Sequence, residues 1–269
     1  MPDSIAQFSE EVRQNYWEPI AGAASRLERG GVLWSQFETA ISACSANGEY
    51  RQLAEKVNEL AVAKILLDDA HLTHAVQYEP NFLPSGRKID FVAVRANDQI
   101  YVEVKTVHPK LVDSEAAWKH FLKRQEYHPP NVNFITQQEN MGGALYGSLV
   151  ASRSKFLDYT LDFESRLREA KEIRGGPGVL VFCDNGIAWN LTDLEDFADF
   201  YNAGSHRQDD LFSLMELHHM KKNGIKLLQN IDHFSYLKRA NKQPLPREFK
   251  FSVHGPRMFA PTGNRWEGR

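Results

Sequence analysis

The sequence predicts an α/β fold, a mixed central sheet flanked by helices, and three observations carry that expectation. Residues 88–106, KIDFVAVRANDQIYVEVKT, read as two apolar strands joined by a polar turn; helical patterns precede and follow them; and GGPGVLVFC places a continuous apolar run behind a glycine-rich turn. With 269 residues, 42% of them hydrophobic, the chain can bury a large core. We expect one elaborated domain over residues 1–269, with its core at about 50–185, a helical N-terminal region at 1–48 and a C-terminal extension at 186–269.

Taken in order, the N-terminal aromatics Tyr16, Trp17, Trp34 and Phe37 are expected to pack helices against one another. From Glu49 onward, Leu53, Val57, Leu60, Ala63, Ile65 and Leu67 recur near the 3.6-residue period, which predicts a helix. HAVQY follows as a short strand, and then the hairpin. Beyond it, VDSEAAWKHFLKRQEY has helical character and HPPNVNFITQQENMGG that of a loop, so that an insertion of about thirty residues between His108 and Gly143 precedes the long helical pattern of residues 144–173. A buried strand in VLVFC closes the core.

The hairpin raises the chemical question. A loop centred between Ala96 and Asn97 sets Asp90 opposite Glu103 and Lys88 opposite Lys105. Alternation then places Asp90, Glu103 and Lys105 on one face and Phe91, Ala93, Val102 and Val104 on the other. Two carboxylates brought together in a half-buried strand pair repel each other unless a cation or hydrogen bonds compensate them. Oxygen ligands in this number suit Mg²⁺, which is commonly held by one or two carboxylates together with substrate phosphate.

In these residues the chain resembles the PD-(D/E)XK nuclease superfamily, whose fold is restriction-endonuclease-like. Asp90, twelve intervening residues and then Glu103-Val104-Lys105 match its D…E-x-K core, with Ile89 where the proline of the name would stand. The resemblance implies a helix, a strand, an Asp-bearing strand, an E-x-K strand, a helix and a further strand, in that order. It also implies an additional acid from the first helix: Glu59 is our choice, and Glu55, one turn earlier, is the competitor. It implies further that Asp90, Glu103, the carbonyl of Val104 and Glu59 hold Mg²⁺, with Mn²⁺ as a substitute, and that Lys105 orients or deprotonates the attacking water. Arg153 or Lys155 is a candidate phosphate contact. The expected activity is hydrolysis of phosphodiester bonds in nucleic acid, DNA before RNA, leaving 5′-phosphate and 3′-hydroxyl ends. A non-catalytic nucleic-acid-binding or assembly module on the same fold is one alternative, and an unrelated protein whose hairpin charges face water is the other.

Composition excludes other classes. No apolar run reaches the length of a membrane span, and MPDSIAQFSEEVRQ lacks signal-peptide character, so we expect a cytoplasmic protein without a membrane partner; a homodimer fits as well as a monomer. Cys44 and Cys183, far apart, make a disulfide framework or a cysteine zinc site implausible, and His71, His74, His218 and His219 lack partners at zinc-ligand spacing. GGALYG at Gly142–Gly147 is not a nucleotide-binding loop. The net charge of −3 is segregated: eight bases against two acids from Lys238 to Arg269, and eight acids against Arg207 alone from Asp184 to Glu216. Such a division suits a basic working face for a polyanion and an acidic back.

Overall fold

The residues on either side of the polar turn pair as their alternation requires. A computed structural model describes residues 2–47, 50–69, 75–95, 98–107, 144–183, 228–239 and 251–254, together with residues 194, 195, 197, 198 and 201. In chain order the elements are α1 (Pro2–Val12), α2 (Glu18–Gly22), β1 (Leu27–Glu28), α3 (Gly30–Asn47), α4 (Tyr50–Asp68), β2 (Val76–Tyr78), β3 (Phe91–Arg95), β4 (Asp98–Thr106), α5 (Ala144–Ile173), β5 (Gly178–Cys183), β6 (His233–Arg239) and β7 (Phe251–His254). The seven strands form one sheet in sequential order. β2–β3–β4 is an antiparallel meander, β5 and β6 run parallel to β4, and β1 and β7 pair at the two edges.

Helices cover both faces. Phe91, Ala93, Val102 and Val104 point to one side, where Val57, Leu60 and Ala61 of α4 and Leu33 and Phe37 of α3 complete a buried cluster. Val92, Tyr101, Leu180 and Phe182 point to the other, against Phe156, Phe163 and Leu167 of α5. Covered from both sides, β4 buries every residue from Ile100 to Val104, Glu103 included. An all-apolar strand would be the ordinary occupant of such a position. Each fully buried Phe or Leu here stabilises the fold by about 2 kcal/mol relative to exposure. α4 is buried on nearly its whole circumference from Val57 to Ala63, wedged between α3 and the sheet, which is why its apolar residues exceed one stripe. Trp17 stacks on Trp34, and Trp34 meets Phe37, so the N-terminal aromatics do pack helices.

The observed register, Phe91 with Val102 through Arg95 with Asp98, is the one the turn position predicts. It ends one residue short of Asp90. There the side chain takes over from the ladder: the Val104 N–H donates to Asp90 Oδ2 at 2.7 Å, and the Asp90 N–H donates to Glu103 Oε2 at 3.3 Å. The strict alternation expected at this end therefore does not hold. Ile89 packs in the α5-side cluster with Val92 and Tyr101, and Lys88, expected opposite Lys105, pairs instead with Glu79 at 2.8 Å.

The helix expected from Glu49 onward is present as α4, the HAVQY strand as β2, the long helical pattern of residues 144–173 as α5 and the VLVFC strand as β5. The expected helix and loop between His108 and Gly143 lie outside the described residues, as do His71 and His74. No strand was expected beyond Cys183, yet β6 and β7 extend the sheet. Cys44 and Cys183 are buried and form no disulfide, and no helix among the described residues is long and apolar enough to cross a membrane.

Candidate functional site

Glu103 sits at the centre, fully buried on β4, and four protein donors reach its two oxygens. Arg166 of α5 grips it as a fork, Nη2 to Oε1 at 2.7 Å and Nη1 to Oε2 at 2.9 Å. Lys105 Nζ lies 2.6 Å from Oε1, and the Asp90 N–H supplies the fourth contact at Oε2. An ionised carboxylate offers about four lone-pair positions, so Glu103 is saturated. Fork geometry between charged partners is the strongest ordinary way to hold a buried carboxylate. Arg166 also donates to Asp162 Oδ2 at 2.6 Å, one helical turn back, and to the carbonyl of Lys88.

α5 thus holds the segment that delivers Asp90. Asp162, Ser165, Arg166 and Glu169 share one stripe of the helix. Ser165 accepts from Arg87 at 3.1 Å, and Glu169 accepts from the Ser85 N–H at 2.5 Å and the Ser85 hydroxyl at 2.7 Å. Glu79, whose N–H donates to the Asp90 carbonyl at 2.8 Å, has a positive φ of 43° and marks the bend that turns the chain from β2 towards Asp90.

The electrostatics follow from burial. Burial first, and then the charge of Glu103, push the Asp90 carboxyl well above the usual carboxylate range; Lys105 and the Val104 N–H pull it back only in part, and Glu59 pushes it further up. For Lys105 burial opposes the charged form, but the carboxylates of Glu103 and Asp90 together outweigh it and hold the ammonium above the ordinary lysine value. Lys105 therefore carries its proton at neutral pH while it is paired with Glu103. Its Nζ lies 5.9 Å from the centre of the Tyr159 ring, within cation–π range.

Glu59 is buried and points inwards, but to other partners: Lys56 Nζ lies 2.9 Å from each of its oxygens, and Tyr78 Oη 2.7 Å from Oε2. Burial pushes its carboxyl up, against the pull of Lys56 and Tyr78. No hydrogen bond joins it to Asp90 or Glu103 among the described residues, although its charge bears on Asp90. The charge of Glu55 bears instead on Tyr159, whose hydroxyl pKa is raised by burial and then by that charge. Of the two candidate acids of α4, Glu59 is the one whose charge bears on Asp90.

Asp90, Glu103, Glu59 and Asp162 set four carboxylates against the cations Lys105, Arg166 and Lys56, one negative charge in excess when all are ionised. A proton on Asp90 or a bound cation balances it. The hard oxygens of Asp90 and Glu103 suit Mg²⁺, provided that Glu103 releases one of its donors. Among the described residues no three His, Cys, Asp or Glu side chains are grouped to hold a metal ion, so Glu59 could join such a site only indirectly.

Arg166 is the residue sequence reasoning missed. The spacing of Asp162 and Arg166 signals an i,i+4 ion pair on a helix, but nothing in the sequence shows that the guanidinium reaches across to β4. The side chain of Arg153 lies outside those described, and Lys155 is half-buried nearer the start of α5. What fold and site define together is an α/β protein with a buried carboxylate, ammonium and guanidinium cluster at the mouth of a central hairpin. Comparison with protein-family models, curated proteins and solved structures finds no match to the chain.

Proposed function

We propose that the protein is a metal-dependent nuclease that hydrolyses phosphodiester bonds in nucleic acid, DNA in the first instance, with Mg²⁺ and with Mn²⁺ as a substitute. The observation that carries this reading is the adjacency of Asp90 and Glu103, with the Lys105 ammonium 2.6 Å from Glu103, at the open end of the hairpin. The order α4, β2, β3, β4, α5, β5 also follows the sequence of elements that the D…E-x-K resemblance implies.

Asp90 and Glu103 would hold the ion, with the carbonyl of Val104, and Glu59 would act through water. When bound, the ion polarises the scissile phosphate and acidifies a bound water. The chain's own residues do the rest. Lys105 donates to a phosphate oxygen and stabilises the charge that develops there. Arg166 keeps Glu103 in one orientation, and α5 fixes the segment that carries Asp90.

Labelled linear, circular, single-stranded and branched substrates, incubated with the protein in Mg²⁺ or EDTA, test the reading. Cleavage in Mg²⁺ that EDTA abolishes is expected on at least one of them, and no cleavage on any would contradict it. A second reading, a non-catalytic nucleic-acid-binding or assembly module, is favoured by the saturation of Glu103 by protein donors. It predicts binding without cleavage.

A further inference from the structure

Two cations share Glu103, and they are not equivalent. Arg166 makes two contacts to the carboxylate and two more to Asp162 and the Lys88 carbonyl, with its side chain 7% exposed. Lys105 makes a single ion-pair contact, at Oε1, with its side chain 25% exposed over the face of Tyr159. Moving Arg166 would break four contacts and release the segment before Asp90. Moving Lys105 breaks one ion pair and its contact with the Tyr159 ring, and its ammonium, on a flexible stem, can turn towards solvent.

We infer that Arg166 is the permanent counter-cation of Glu103 and Lys105 the exchangeable one, so that a divalent cation at Asp90 and Glu103 binds in competition with the Lys105 ammonium. This rests on the metal-site reading above. It deepens that reading with a coupling: whatever draws Lys105 off Glu103 promotes cation binding, and a phosphate diester beside it is an anion able to do so. Arg166 is then a positioning residue, and Lys105 sets the affinity of the site.

Competition gives the variants opposite signs. Lys105→Gln removes the competing charge and should bind Mn²⁺ about tenfold tighter than wild type in calorimetric titration, whereas Lys105→Arg, whose guanidinium can grip Oε1 with more than one N–H, should bind it more weakly. General damage to the site would weaken Mn²⁺ binding in both, so the tightening is the diagnostic result. Arg166→Gln should leave Mn²⁺ binding weaker, through loss of the fixed carboxylate, and should lower the melting temperature well below that of Lys105→Gln. Unchanged or weaker binding in a folded Lys105→Gln protein overturns the inference, as does an Arg166→Gln protein that gains the affinity instead. Should Lys105→Gln fail to fold, tighter or equal binding by Lys105→Arg overturns it alone. Cleavage by wild type without the predicted affinity order would sink the competition and spare the nuclease, and the affinity order without cleavage would do the reverse.

Discussion

A carboxyl held above its ordinary range makes Asp90 a testable group in its own right. Because its folded-state pKa is raised, the stabilisation linked to its proton is complete below the unfolded value of about 3.9 and is lost as pH rises through the folded value. Asp90→Asn cannot ionise and still offers an amide oxygen to the Val104 N–H. It should therefore match wild type near pH 4 and exceed it in stability at pH 8, because the wild-type carboxyl is held protonated in the folded chain at pH values where the unfolded chain ionises it. Urea titrations across that pH range in EDTA check this, and a constant difference between the two proteins would show that burial does not hold the proton on Asp90. In Mg²⁺ the order should reverse, since only the carboxylate gains from the ion.

At the scale of elements, one turn of α5 decides whether the hairpin site holds together. Arg166→Ala leaves Glu103 buried with Lys105 as its sole cationic partner, and removing one member of a buried pair typically destabilises by about 3–5 kcal/mol. Asp162→Ala, whose partner loses only one contact at a half-exposed side chain, should change stability by less than about 1 kcal/mol. Denaturant unfolding ranks the two, and equal effects would mean that the fork to Glu103 is not what anchors the helix. Gly176 offers a second test: a Cβ there would overlap the backbone oxygen of Gln99, beside the bond from the Tyr101 N–H to the Pro177 carbonyl, so Gly176→Ala should destabilise by about 3 kcal/mol or more. The hairpin register, α4 and the α5–β5 unit were legible because local periodicity and the Arg95–Gln99 turn specify them. β6 was not. HFSYLKR does alternate, with Phe234 and Tyr236 on the α5 side and Leu237 on the other, but no glycine-rich turn directly before it announces a strand, as GGPG does for β5. In the site, Asp90, Glu103 and Lys105 could be read from register, whereas the Arg166 contact depends on how a helix some sixty residues away packs across the sheet.

The molecule as a whole is acidic, and its bases gather towards the C-terminus. Residues 255–269 begin one position past β7 and contain Arg257, Arg265 and Arg269. Ending the chain after Gly255 keeps all seven strands in the chain, so the site should remain folded while nucleic-acid binding weakens. If each arginine meets a duplex phosphate, the slope of log K against log salt should become shallower by up to about 0.9 per lost contact. Unchanged affinity and slope would move the binding surface elsewhere, to the insertion between His108 and Gly143 in the first instance. The central claim, that the carboxylates facing each other at the hairpin mouth support phosphodiester cleavage, is tested most directly by Glu103→Gln. Its amide keeps the shape of the side chain and removes the charge. Assayed beside wild type on the most readily cleaved substrate in Mg²⁺, with folding verified by circular dichroism, it should lose cleavage by at least about a hundredfold, as removal of a group acting at the developing charge does. Cleavage at the wild-type rate by a folded Glu103→Gln protein would contradict the account.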